Sequence, residues 1–292
     1  MSPALDTSRC VRNRHFKASC RACAAACPRD AITIDRHVHI GEESCSECGI
    51  CSAACPTGAL AGAADDLDAA IGRLAAIPAQ SVGCRQVLAG FGDTRLRCFG
   101  GLSARDLAAM AILTERPLVI NVAPCGKCPA GPDVIPLLRK RLESVAAAGV
   151  LGSRPLPVLR ADFGPGPESP TGASRRGFLS LFARAASQAR QSDGAPQRTR
   201  RERHQVAADR VDQDMRPWLL ADTLFTPHKL ASCNDCCRCA LVCPSGALQR
   251  TRRNGRKLLT VTADACTGCG LCIDMCPLDA LDVPSAHSTT TA

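Results

Sequence analysis

Tyrosine is absent from the 292 residues, tryptophan occurs once, and aromatic side chains make up 3% of the chain. No apolar run approaches the ~18 residues that announce a transmembrane helix, so none is expected. Recognition of single-stranded nucleic acid calls for base-stacking aromatics. The basic run from Gln197 to Arg203 has none interleaved and reads as the solvated face of a linker, so no nucleic-acid partner is expected. The motifs G-x-G-x-x-G, Walker A, H-E-x-x-H and G-x-S-x-G are missing as well, and Gly90-Phe91-Gly92 lacks a third glycine. The six histidines are scattered, with His37 and His39 on one exposed face of a short hairpin. No acid–base pair or activated nucleophile stands out, so an independent catalytic site is not expected. Met1 to Cys10 shows no basic stretch leading into an apolar one, and a reducing cytoplasm is the expected location.

Against these absences stand 21 cysteines. In a small secreted protein such a number would mean disulfides, but here the spacing is that of metal ligands. Cys45, Cys48, Cys51 and Cys55-Pro56 follow C-x2-C-x2-C-x3-C-P, the run that ligates [4Fe–4S] clusters in bacterial proteins. Three closely spaced thiolates wrap three corners of one cubane, and the fourth, before proline, serves its neighbour. Cys233, Cys236, Cys239 and Cys243-Pro244 repeat the run, as do Cys266, Cys269, Cys272 and Cys276-Pro277. Cys20, Cys23 and Cys27-Pro28 form a run whose first position is occupied by Lys17, with Cys10 upstream as the obvious substitute. All four runs end Cys-Pro-x-[Asp/Gly]-Ala-[Ile/Leu], an internal repeat with one function. A short hairpin is expected between the first two runs, and another between the last two, with Asn254-Gly255 at its tip.

At these motifs each Cys-rich segment resembles a bacterial two-[4Fe–4S] ferredoxin domain, a small α+β fold. The resemblance implies four [4Fe–4S] clusters. Cys45, Cys48, Cys51 and Cys27 would hold the first. Cys20, Cys23, Cys55 and Cys10 would hold the second; without Cys10 that site would carry a [3Fe–4S] cluster or a non-cysteine ligand. Cys233, Cys236, Cys239 and Cys276 would hold the third, and Cys266, Cys269, Cys272 and Cys243 the fourth. Cys237 is surplus and reads as a spare thiol. Zinc is the bland alternative for paired C-x2-C, though zinc ribbons do not repeat x2-x2-x3-Cys-Pro in this way.

The stretch between the modules has another texture. Asp65 to Ala76 reads as an amphipathic helix. Short strands follow at Gln80–Cys84 and Arg95–Cys98. Ser103 and Asp106 form a capping-box signature opening a helix to Leu113. Pro117–Ala123 reads as a buried strand, Asp133–Ala148 as a helix stopped by Gly149, and Pro157–Arg160 as a last strand. Alternating strands and helices predict a small parallel α/β sheet. Ligands bind outside the carboxyl ends of the strands in such sheets. Cys84, Cys98, Cys125 and Cys128 would therefore converge on one edge as an extra Fe–S or zinc site, or Cys125 and Cys128 would form a redox dithiol. The layout is loosely similar to the small iron–sulfur subunit of some hydrogenases and heterodisulfide reductases.

The expected organisation is α+β and α/β: ferredoxin-like modules at 1–62 and 218–284 flanking a small parallel α/β domain at 63–163, an Arg-rich linker at 164–217, and a disordered tail at 285–292. Within the linker, Ser174-Arg175-Arg176-Gly177-Phe178-Leu179 matches a twin-arginine pattern far from the N-terminus, and export is rejected. From Ser174 to Leu281 the chain resembles the ferredoxin-like accessory protein of periplasmic nitrate reductase. The same segment also reads as a short amphipathic helix with Phe178, Leu181 and Phe182 on one face. The net charge of +9 points to an anionic partner, such as an acidic redox protein or oxidoreductase or, peripherally, a membrane surface. Three functions follow: an electron carrier between a low-potential donor and an oxidoreductase, an accessory factor for a molybdenum reductase, or an iron–sulfur subunit of a hydrogenase- or heterodisulfide-reductase-like complex.

Overall fold

The computed structural model describes residues 2–60, 67–76, 81–86, 94–161, 199–220 and 227–282. The chain divides into two compact units, one made of Met1–Ala61 with Asp212–Ala292 and the other of Gly62–Val211. The fold is mixed helix and strand with a parallel sheet. No helix among the described residues is long and apolar enough to cross a membrane.

The first unit is built from short pieces. Its helices are α1 (Val11–Arg14), α2 (Ala22–Ala25) and α3 (Ile50–Ala54), then, beyond the second unit in the chain, α8 (Arg216–Leu220), α9 (Arg238–Val242) and α10 (Leu271–Asp274). Strands β1 (Ile32–Ile34) and β2 (Val38–Ile40) pair antiparallel. Strand β7 (His228–Lys229) pairs with β10 (Leu281–Asp282), and β8 (Leu248–Arg253) with β9 (Arg256–Val261). Asn254 and Gly255 both have positive φ, the two-residue turn that the Asn-Gly pair dictates. The two Cys-rich segments share this unit. Val11 and Ala18 pack against Leu271, with Val242 and Met275 at the edge, and Ser19 N donates to Asp274 Oδ2 at 2.7 Å.

The second unit holds a parallel sheet in the order β4-β3-β5-β6, whose strands are β3 (Ser81–Cys84), β4 (Thr94–Leu96), β5 (Val119–Asn121) and β6 (Val158–Arg160). Helices α4 (Leu67–Ala76), α5 (Ala104–Thr114), α6 (Gly131–Ala147) and α7 (Arg200–Ala208) complete it. Leu67, Leu74, Leu96, Phe99, Leu102, Leu107, Met110, Ile112, Leu118, Ile120 and Leu138 are all under 2% exposed. The capping box at α5 forms: Asp106 N donates to Ser103 Oγ, and Ser103 N to Asp106 Oδ2.

The basic run at 197–203 differs from its reading as a solvated linker face. Thr199 caps α7, and Arg203, 1% exposed, is drawn inside. Arg203 Nε and Nη2 donate to the two oxygens of Asp68 at 3.0 and 3.1 Å, and Nη1 donates to Asp106 at 3.1 Å. His204 Nε2 lies 3.1 Å from Asp106, and Arg200 Nε 3.6 Å away. Two carboxylates from α4 and α5 supply the charge that a buried guanidinium requires. Composition alone shows a charge run; its partners lie 97 and 135 residues away. The twin-arginine segment Ser174–Leu179 lies outside the described residues, as does the tail at 285–292.

Candidate metal centres

The repeat Cys-Pro-x-[Asp/Gly]-Ala has a geometric meaning. The residue before alanine is left-handed in all four copies: Asp30 (φ 49), Gly58 (φ 62), Gly246 (φ 69) and Asp279 (φ 46). Proline presets the first turn position, and glycine or aspartate accepts the left-handed one. The turn swings the alanine N–H back onto the cysteine. Ala31 N lies 3.3 Å from Cys27 Sγ, Ala59 N 3.2 Å from Cys55 Sγ, and Ala280 N 3.3 Å from Cys276 Sγ. These N–H groups stabilise a thiolate, and hydrogen bonds to sulfur set the potential of a cluster.

The three complete C-x2-C-x2-C runs share a second feature. Glu47 and Gly49, Asp235 and Cys237, and Gly268 and Gly270 all have positive φ, at matching places. Two left-handed residues flank the second cysteine and curl each loop in the same way. Cys237 (φ 59) thus sits where the other runs carry glycine, which accounts for the surplus thiol as a loop residue. Its Sγ turns away to the carbonyl of Asp235 at 3.1 Å.

Each buried thiol is raised by particular neighbours. Burial, then Cys20 and Cys55, push the Cys23 thiol up to about 12, with Cys10 adding to the rise. Cys51 rises to about 11 through burial, with Cys48, Cys45 and Cys27 contributing. Cys239 rises to about 11, chiefly by burial, with Cys236 and Cys276 as neighbours. Cys272 rises to about 12 through burial, then Cys269 and Cys266, with Cys239 and Cys243 behind. Burial and mutual repulsion make bare thiolates costly in these pockets; a bound cation removes that penalty and deprotonates its ligands outright.

Cys10 joins Cys20, Cys23 and Cys55 because the N-terminal segment folds back on the first module. Leu5 bridges Leu60, Asp6 N donates to the Ala59 carbonyl, and Cys10 packs beside Cys55 and Cys23. Arg12 donates to the Ala18 carbonyl and closes the loop from Cys10 to Cys20. Cys20 is raised by burial and, among other neighbours, by Cys269 of the other module. Cys20 and Cys269 pack on one apolar cluster, and Cys239 and Cys272 share another.

In the second unit, Cys84 ends β3, Cys98 follows β4, and Cys125 and Cys128 follow β5. The Cys125 thiol is pushed up to about 12 by burial and then by Cys84, Cys98 and Cys128. Gly131 opens α6 against this loop, and a Cβ there would lie 1.8 Å from the Cys125 carbonyl oxygen. Glycine is required for that approach.

Among the described residues, no three Cys, His, Asp or Glu side chains stand close enough to hold a single metal ion. The donor set fits an iron–sulfur cluster: it is all-thiol, N–H groups point at Cys27, Cys55 and Cys276, and the buried Ser46 hydroxyl beside Cys45 lacks a protein partner.

Residues 18–59 and 229–283 each match a family model described as a 4Fe-4S dicluster domain. No curated protein and no solved structure matches the chain. The matched segments are iron–sulfur domains of the ferredoxin type, and they mark the chain as an iron–sulfur electron-transfer protein.

Proposed function

We propose that the protein carries four [4Fe–4S] clusters and passes single electrons between a low-potential donor and an oxidoreductase partner. The observation carrying the proposal is that Cys20 of one repeat and Cys269 of the other both pack against the Val11/Ala18/Leu271 cluster, which joins the two repeats. A bound [4Fe–4S] cluster cycles by one electron. The chain's own part is to hold the thiolates, to aim the alanine N–H groups at sulfur and to exclude water. The packing of Val11, Ala18 and Leu271 keeps the repeats together, so electrons need no linker motion to cross between them.

A second site, on Cys84, Cys98, Cys125 and Cys128, extends this reading. Their gathering around the buried Cys125 favours a fifth metal centre and a role as the iron–sulfur subunit of a larger oxidoreductase complex.

The test is iron, zinc and labile sulfide in anaerobically purified protein. About 16 iron and 16 sulfide per chain correspond to four cubanes. A further increment that Cys125→Ser removes, with the rest intact, would establish the second site. Zinc in place of iron at the ferredoxin-type motifs would overturn the proposal.

A further inference from the structure

The β8–β9 hairpin carries Arg250, Arg252, Arg253, Arg256 and Lys257, with no acidic residue between Leu248 and Val261. All five are exposed. Its register sets Arg252 opposite Lys257 and Arg253 opposite Arg256. Like charges directly across a ladder destabilise it, and no acidic side chain pairs with any of the five among the described residues. A hairpin needing only stability would alternate its signs. The side chains also have a direction. Leu248, Arg250 and Arg252 share one face with Val261, Leu259 and Lys257. The base of that face is buried: Leu248 and Leu259 pack with Cys239 and Cys272. Leu259 also lines the cavity formed by Cys233, Cys236, Cys239 and Cys276, with Leu278 at its rim, 43% exposed. Arg250 pairs across the ladder with Leu259, and the Arg252–Lys257 pair stands about 7 Å further out at the rise of a strand. A row of cations therefore leads outward from this thiol set. Cys236 belongs to the set and is the exposed cysteine among the 21.

We infer that the Cys233/Cys236/Cys239/Cys276 site is the port at which electrons cross the protein surface, and that the cationic hairpin face docks an acidic redox carrier over it. This rests on the electron-transfer reading above and names its port and partner class. The step is outer-sphere: one electron moves from the reduced carrier to the oxidised cluster, and no bond forms or breaks. Three complementary features favour an acidic protein over an anionic membrane. The five cations form one cluster on a single hairpin, an exposed leucine adjoins it, and both border the exposed Cys236.

The probe is a flavodoxin of strongly negative net charge, with the full-length holoprotein. Calorimetry should give an affinity that weakens as salt is raised. The double variant R252E/K257E should raise Kd at least ~10-fold and slow flavodoxin-driven bleaching of the clusters by a similar factor. The neutral pair R252Q/K257Q should fall between it and the wild type. R253E/R256E, on the opposite face, should lose less than R252E/K257E. Carbodiimide should cross-link flavodoxin to Lys257. Affinity and rate within twofold of wild type for R252E/K257E, or a Kd indifferent to salt, would overturn the inference. So would an unchanged flavodoxin affinity alongside lost pelleting with phosphatidylserine vesicles, which would assign the face to a membrane. Failure of the underlying reading shows separately, as protein without iron or clusters that methyl viologen radical cannot reduce.

Discussion

The two units of this protein are held together by different physics. The second has a close-packed apolar core, and the eleven apolar side chains named above as under 2% exposed all belong to it. In the first, the described strands are two to six residues long and the helices four or five, and much of what is buried is cysteine: Cys23, Cys48, Cys51, Cys237, Cys239 and Cys272. Its geometry is fixed by turn residues, left-handed backbone positions and N–H groups aimed at sulfur. A module with so little hydrocarbon to bury is expected to draw much of its folding energy from bound metal, whereas the sheet unit has an apolar core of its own.

Removing iron should break this comparison most visibly. With oxidant and chelator, amides of 2–60 and 227–282 should lose protection against hydrogen exchange, while those of α5, α6 and β5 keep theirs. Uniform loss across both units would show that the sheet unit also depends on metal. The next largest effect belongs to Arg203→Ala, which leaves Asp68 and Asp106 facing each other without their shared cation. Removing one partner of a buried ion pair costs about 3–5 kcal/mol, to be read as a lowered urea midpoint in probes of the sheet unit, with iron content unchanged.

A pH titration sharpens the same point. Burial alone would raise the Asp106 carboxyl, but the hydrogen bond from His204 and the charges of Arg200, His204 and Arg203 outweigh it and hold the group well below the usual carboxylate range. A folded-state pKa depressed in this way stabilises the fold fully above the unfolded value, about 3.9, and the contribution is lost as pH falls toward the folded value. Protection of α5 and α7 should therefore be flat from pH 7 to about 5 and decline only below about pH 4, and Asp106→Asn should flatten that decline. A loss already under way near pH 6 would point to a different group. The smallest effect concerns the hairpin. Arg256→Glu places an opposite charge across from Arg253 and should stabilise the holoprotein by a few tenths to about 1 kcal/mol, measured by thermal unfolding; no gain would mean that the like-charged pair costs nothing.

Much of this organisation is legible in the amino-acid sequence. The four cysteine runs are read from spacing, because a tetrahedral cluster imposes a short, repeated interval on its ligands. The Asn254-Gly255 turn, the Ser103/Asp106 cap and the parallel sheet follow from local chemistry and strand direction. The basic run at 197–203 misleads for a physical reason: a single sequence window shows charge, and whether a charge is solvated or buried depends on carboxylates elsewhere in the chain. Asp106 announces itself as a cap, but its second role as a partner of Arg203 and His204 cannot be read from α5 alone.

The sequence by itself determined the cysteine motifs and the turn chemistry around them, since each acts over a few residues, where backbone sterics and bond lengths leave little choice. Only the tertiary structure decided that the two repeats pack into one unit with Cys20 and Cys269 on one apolar cluster, that the N-terminal segment folds back to pack Cys10 against the first module, and that Arg203 goes inside. Those outcomes turn on contacts between segments far apart in the chain, where many pairings satisfy local rules and burial, charge pairing and shape select among them.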